Sequence, residues 1–155
     1  MSSNSNTTIK WVLNAMKNKI IIQQEIFDAS KPIIGIYGIF ISIDKQERCV
    51  YVGRSNNIYL RMFSGDDAHI VKLKKGIGEN TEINLAMQNK NAKIIVKVLE
   101  TVRYDYENYN KDMQTLASRE NHYIDIYQAL GQCLEQRPDG SNMEYNVWET
   151  YKNEM

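Results

Sequence analysis

Cysteine is nearly missing from this sequence: there are two residues, Cys49 and Cys133, far apart and in no CxxC or Cys/His spacing. That excludes a disulfide scaffold and a four-ligand structural zinc site, and it leads us to expect a reduced, cytoplasmic protein. Long apolar runs are missing as well. The longest, Pro32 to Ile43, is broken by Gly35, Gly38 and Ser42 and falls well short of the roughly 20 residues that cross a bilayer. No membrane partner is expected, and no basic-then-apolar start suggests a secretory signal. Nor is there any surplus of charge, with 19 basic residues against 19 acidic ones. Many nucleic-acid-binding domains are strongly basic, so composition alone does not suggest that function. Phosphate contact needs only a local patch, however. Arg54, Arg61, Lys72, Lys74 and Lys75 crowd the middle of the chain, while the acidic residues gather toward its C-terminal half.

What is present reads as one domain of 155 residues, enough to bury a substantial core. Residues 1–8 look like a solvated tail. Ile9, Val12, Leu13, Met16 and Ile20 recur at helical spacing, which predicts a mainly helical segment over 7–28 with an N-cap at Thr7 or Thr8. Residues 1–30 are therefore read as tail and helical extension, and 31–150 as the main domain. Pro32 hands over to a β-branched, aromatic strand at 33–43. Asp44 to Arg48 reads as a five-residue turn and Cys49 to Gly53 as the returning strand. If Ile43 faces Cys49, Tyr37 and Tyr51 share one face of the hairpin, a parity that a bulge would change. A short helix from Asn56 to Ser64 follows, then a polar segment over 65–91 with a helix near 81–90. A third strand spans Ala92 to Val102, and a long helix runs from about Lys111 to Leu130 and stops at Gly131. The tail carries a turn at Pro138-Asp139-Gly140 and a final short helix. The expected class is α+β, a small, mostly antiparallel three-stranded sheet flanked by helices.

Glu120 stands out without any family knowledge. Met113, Leu116, Ala117, Ile124 and Tyr127 form the stripe of the long helix that should face the core, and Glu120 lies within it. A buried carboxylate left unpaired costs several kcal/mol. It therefore needs an arginine or a metal ion beside it, or a place at the rim of the stripe facing solvent.

The hairpin and the helices after it resemble the GIY-YIG nuclease family. Gly35-Ile36-Tyr37 matches the first motif, and Tyr51-Val52-Gly53 the second with valine in place of isoleucine. Arg54-Ser-Asn-Asn-Ile-Tyr-Leu-Arg61 resembles the family's turn into a helix carrying an arginine, here ten residues beyond Tyr51. Leu116-Ala-Ser-Arg-Glu120 resembles the helix bearing a metal-binding glutamate, and Tyr145-Asn146 the terminal asparagine motif. The resemblance runs from about residue 33 to 147.

What it implies is hydrolysis of phosphodiester bonds in DNA. Glu120 would hold one Mg²⁺ or Mn²⁺ ion to stabilise the leaving 3′ oxygen. Arg61 would clamp the phosphate, Tyr37 would act as general base, directly or through water, Tyr51 would position the nucleophile or the phosphate, and Asn146 would orient the site loop. Arg54, Lys72, Lys74 and Lys75 are the expected DNA contacts. A tyrosine base is demanding, because forming phenolate at pH 7 costs about 4 kcal/mol. The sequence also departs from the family where many members carry a histidine one turn after the arginine: Gly65 stands there. His69 is the candidate to replace it, against the plainer reading of a solvated loop histidine; Lys72 or Lys74 are further candidates for proton handling. A compact member with no separate DNA-reading domain points to a restriction-type enzyme acting as a two-fold dimer. Mobile-element or repair nucleases, and a silent nucleic-acid-binding module on the same fold, are the alternatives.

Overall fold

The structure, a computed structural model, describes residues 18–137 and 144–155. Its sheet has four strands: β1 (Ile20–Ile22), β2 (Gly35–Ile43), β3 (Gln46–Ser55) and β4 (Ala92–Thr101), in the order β1-β4-β2-β3. The three long strands pair antiparallel, as expected, but β1 adds a parallel edge to β4, so the three-strand expectation is corrected to a four-stranded mixed sheet. Helices α1 (Ile58–Phe63), α2 (His69–Lys75), α3 (Thr81–Gln88), α4 (Tyr109–Ala129) and α5 (Tyr145–Asn153) complete the α+β fold. None of the described helices is long and apolar enough to cross a membrane.

The N-terminal expectation needs correction over its described part. Residues 20–22 form a strand and Gln24–Phe27 a single 3-10 turn. Ile20, Ile22 and Ile26 enter the main core, so this stretch is part of the sheet rather than a helical extension. Its apolar spacing satisfies two periods at once, and pairing with β4 decides between them. Residues 7–17 and the Pro138-Asp139-Gly140 turn lie outside the described residues. The 65–91 segment holds α2 as well as the expected α3, with Lys74 and Lys75 of α2 exposed and His69, Ile70 and Leu73 buried.

Each face of the sheet carries its own core. On one, Tyr37, Ile39, Ile41 and Val50 pack with Ile58 and Met62 of α1, Ile70 and Leu73 of α2 and Ile83 of α3. On the other, Ile36, Phe40, Cys49 and Val52 pack under Leu116 and Ile124 of α4, with Met113 and Tyr127 beside them, so the predicted stripe faces the sheet. Glu100 of β4 orients α4 by accepting two bonds from Arg119, at 2.8 and 2.7 Å, and one from the Tyr123 hydroxyl at 3.0 Å. The outer edge of β3 is covered rather than left open to another chain. Gln132 Oε1 accepts from the Cys49 amide at 2.6 Å, and Gln136 bonds both the amide and the carbonyl of Val52.

The hairpin reaches its expected face parity by an unexpected route. Its turn has two residues, Asp44 and Lys45, both in the left-handed region at φ 52° and 66°, where Ile43 pairs with Gln46. This tight turn suits the twist of a hairpin, although neither residue is the glycine that usually announces it. Uninterrupted, that register would place Tyr37 and Tyr51 on opposite faces. A bulge intervenes: Phe40 pairs with Cys49 but Ile39 pairs with Tyr51, leaving Val50 as the extra residue. Tyr37 then faces Gly53, and both tyrosines look toward α2.

Candidate functional site

The site forms where the α2 face of the hairpin meets the turn into α1. Tyr37 is 1% exposed, and its hydroxyl lies 2.7 Å from Nε2 of His69, which is 2% exposed. Tyr51 completes an aromatic triangle, its ring centroid 6.3 Å from that of Tyr37 and 5.4 Å from that of His69. His69 is thus no solvated loop residue. It opens α2 and points into the sheet, which brings it to the tyrosine that the sequence proposed as base.

Glu79, a residue sequence reasoning missed, stands behind the imidazole. Its Oε1 lies 3.3 Å from His69 Nδ1, 3.1 Å from Lys72 Nζ and 3.4 Å from Arg61 Nη2. Arg61 also donates from Nη1 to the Asp67 carbonyl at 2.6 Å. Glu79 sits in a polar run with no apolar periodicity around it, so no one-dimensional signal separates it from an ordinary surface glutamate. With the Glu79 carboxylate 3.3 Å from Nδ1, the ring's proton is favoured on that nitrogen; the neutral ring then presents a bare Nε2, to which the Tyr37 hydroxyl donates.

The electrostatics follow from this packing. Burial, above all, pushes the Tyr37 hydroxyl well above its ordinary value of 10, with Tyr51, Glu79 and Glu120 adding to the rise and Arg61 opposing it. Burial also raises Tyr51, again with Glu79 and Glu120 on the same side and Arg61 opposing. His69 is pulled down to about 3, first by burial and then by the charges of Arg61 and Lys72. Two cations share the one carboxylate near the ring, so Glu79 does not reverse that effect.

A stability prediction follows. His69 stays neutral in the fold, whereas an unfolded imidazole titrates near 6.5. Protonation therefore favours the unfolded chain: the contribution is complete above pH 6.5 and is lost as pH falls toward 3, at up to about 1.4 kcal/mol per pH unit. Thermal melts at pH 7 and pH 5 should show a larger loss for the wild type than for His69→Gln. Equal losses would contradict a buried neutral histidine.

Glu120 comes from α4, on the opposite face, and meets the site at the end of the hairpin. Its side chain is 14% exposed, and Oε1 accepts from Arg54 Nη1 at 3.0 Å. Of the partners the sequence leaves open to it, an arginine is in contact with Glu120, which ties Arg54 into the site. Glu120 is still near enough for its charge to raise both tyrosines. Lys72 likewise turns inward to Glu79, while Lys74 and Lys75 are exposed on the last turn of α2. Asn146 is not joined to this cluster by any hydrogen bond among the described residues. It is exposed on α5, its side chain accepting from the adjacent Val147 amide at 3.0 Å.

No group of three or more His, Cys, Asp or Glu side chains is arranged to enclose a metal among the described residues. Mg²⁺ does not require one, since it commonly takes one or two carboxylates and completes its shell with water and substrate phosphate. The hard, partly exposed oxygens of Glu120 fit that donor set. No family model, curated protein or solved structure matches this chain.

Proposed function

We propose that this chain is a compact, metal-dependent DNA endonuclease of the GIY-YIG type, with a restriction-type enzyme acting as a two-fold dimer as its most specific form. The observation that carries the reading is the convergence of Tyr37, Tyr51, Arg61 and His69 within one hydrogen-bonded cluster, with the charge of Glu120 acting on both tyrosines. Tyr37, Tyr51, Arg61 and Glu120 are residues the motif resemblance names, from stretches as much as 83 positions apart; His69 is the candidate replacement for the histidine missing at Gly65.

Arg61 lines an open cleft with Asn56, Asn57 and Ser64, where a phosphate would meet its guanidinium. Glu120 would hold the divalent ion, which supplies charge stabilisation for the leaving 3′ oxygen. Free Tyr37 phenolate is even less accessible than for an exposed tyrosine, because the side chain is buried. The His69 contact offers a route in which no free phenolate forms. As Tyr37 Oη takes a proton from the attacking water, it passes its own to Nε2 of His69. The hydroxide forms the new bond to phosphorus, the bond to the 3′ oxygen breaks, and that oxygen takes a proton from solvent. His69 returns its extra proton to solvent once product leaves. The incoming phosphate offsets Arg61 and Lys72, two of the three causes that hold His69 down, so the relay becomes easier when substrate is bound.

Plasmid DNA incubated with the protein and Mg²⁺ tests this directly. Discrete fragments are expected for a sequence-specific enzyme, whereas relaxed circles would favour the mobile-element or repair type. An untouched plasmid that shifts on a gel would replace the proposal with a silent binding module, a reading favoured by the arginine already seated on Glu120. Because Tyr37 keeps its proton and His69 stays neutral across this range, the cleavage rate should be level from pH 7 to pH 9; a rise of about tenfold per pH unit would make free phenolate, and not the relay, the base.

A further inference from the structure

We propose that Glu79 is a positioning residue of the nuclease site: its carboxylate holds His69 in the Nδ1–H tautomer, so that Nε2 stays bare for the Tyr37 proton, and at the same time it tethers Arg61 and Lys72. The inference deepens the nuclease reading and rests on it.

Nitrogens of three residues lie 3.1 to 3.4 Å from one oxygen of Glu79, and Arg61 and Lys72 donate to it. An isolated surface ion pair contributes little and would not need such convergence. The imidazole offers a further constraint. Its two nitrogens face different partners, the Tyr37 hydroxyl on Nε2 and Glu79 on Nδ1. A carboxylate can only accept, so the proton belongs on Nδ1, and the hydroxyl must then donate. The opposite tautomer would set a bare Nδ1 against an anion, an arrangement with no hydrogen between them. Glu79 thus directs the hydrogen bond at Tyr37 without touching the substrate. It also balances the cations: Arg61 and Lys72 carry two positive charges beside a ring that must accept a proton, and the carboxylate offsets one of them. When the Tyr37 proton arrives on Nε2, the imidazolium formed has Nδ1 facing the Glu79 carboxylate at 3.3 Å.

Two measurements on the full chain test this, one of them independent of cleavage. Nitrogen-15 NMR of the His69 ring at pH 7.5 should report the Nδ1–H tautomer in the wild type and in Glu79→Asp, and a mixture or the opposite tautomer in Glu79→Gln. Wild-type protein in the Nε2–H form would overturn the proposal, whether or not the protein cuts DNA. In plasmid cleavage with Mg²⁺, Glu79→Gln should lower kcat about 30- to 100-fold while KM stays level or falls, because Arg61 and Lys72 are released toward phosphate. Glu79→Asp should recover most of the rate. A Glu79→Gln enzyme with unchanged kcat, or one whose loss lies wholly in KM, would overturn the positioning role. If the wild type cuts no DNA at all, the nuclease reading fails, and the proposed role of Glu79 in that reaction fails with it; the tautomer measurement still decides whether Glu79 sets the ring.

Discussion

Glu120→Gln is expected to reduce cleavage by on the order of 10³-fold, about 4 kcal/mol of transition-state stabilisation, while DNA affinity holds or rises slightly. The substitution removes the carboxylate proposed to hold a divalent ion but keeps its shape. Glutamine can still accept from Arg54, whose bond to Glu120 is now 3.0 Å. The ion pair is partly exposed, so losing its charge should change stability by less than about 1 kcal/mol. Arg54, no longer neutralised, becomes more available to phosphate, which is why binding should not weaken. Single-turnover cleavage and a gel shift on the same preparation check both halves. Unchanged cleavage would exclude Glu120 as the ion's ligand, whatever else the site does.

Gly35→Ala should be the most damaging small substitution in the fold, costing about 3 kcal/mol or more and lowering Tm by roughly 6–12 °C for a chain of this size. A Cβ at Gly35 would lie 2.0 Å from the Glu100 carbonyl oxygen and 3.0 Å from the Thr101 Cα. Those atoms belong to the backbone of the neighbouring strand, so the sheet itself must part. Gly53→Ala has a different signature. Its Cβ would sit 2.3 Å from both Cζ and Oη of Tyr37, a ring that cannot swing away because it is buried and bonded to His69. The stability cost should be smaller, about 1–3 kcal/mol, but cleavage should fall steeply as the Tyr37–His69 contact is displaced. Thermal melts and cleavage rates of the two variants should therefore rank in opposite orders relative to their losses. A stable, active Gly53→Ala protein would mean that Tyr37 is free to move, and the relay would be lost as an explanation.

The glycines in the two tyrosine motifs illustrate what was legible in the chain and what was not. Their presence is plain in one dimension, but their reason is a close approach between strands that pairing alone creates. The long helix was legible because 21 residues of periodic pattern outvote local noise, and so was the carboxylate within its stripe. The N-terminal strand was not, since three residues whose burial comes from a partner some 74 positions away carry no pattern of their own. His69 read as a loop residue for a similar reason: α2 has seven residues, and only two apolar side chains, Ile70 and Leu73, mark its inner face.

Local sequence determined the α+β class, the hairpin, the long helix and the residue types from which a phosphodiester-cleaving site could be assembled, because those depend on periodicity and on side-chain chemistry. Tertiary structure alone decided that a bulge at Val50 brings Tyr37 and Tyr51 to one face, that His69 meets Tyr37, and that Glu79 stands behind the imidazole. Each of these turns on a register or a contact between segments far apart in the chain, and the free energy that selects them comes from burial and pairing that no single segment contains.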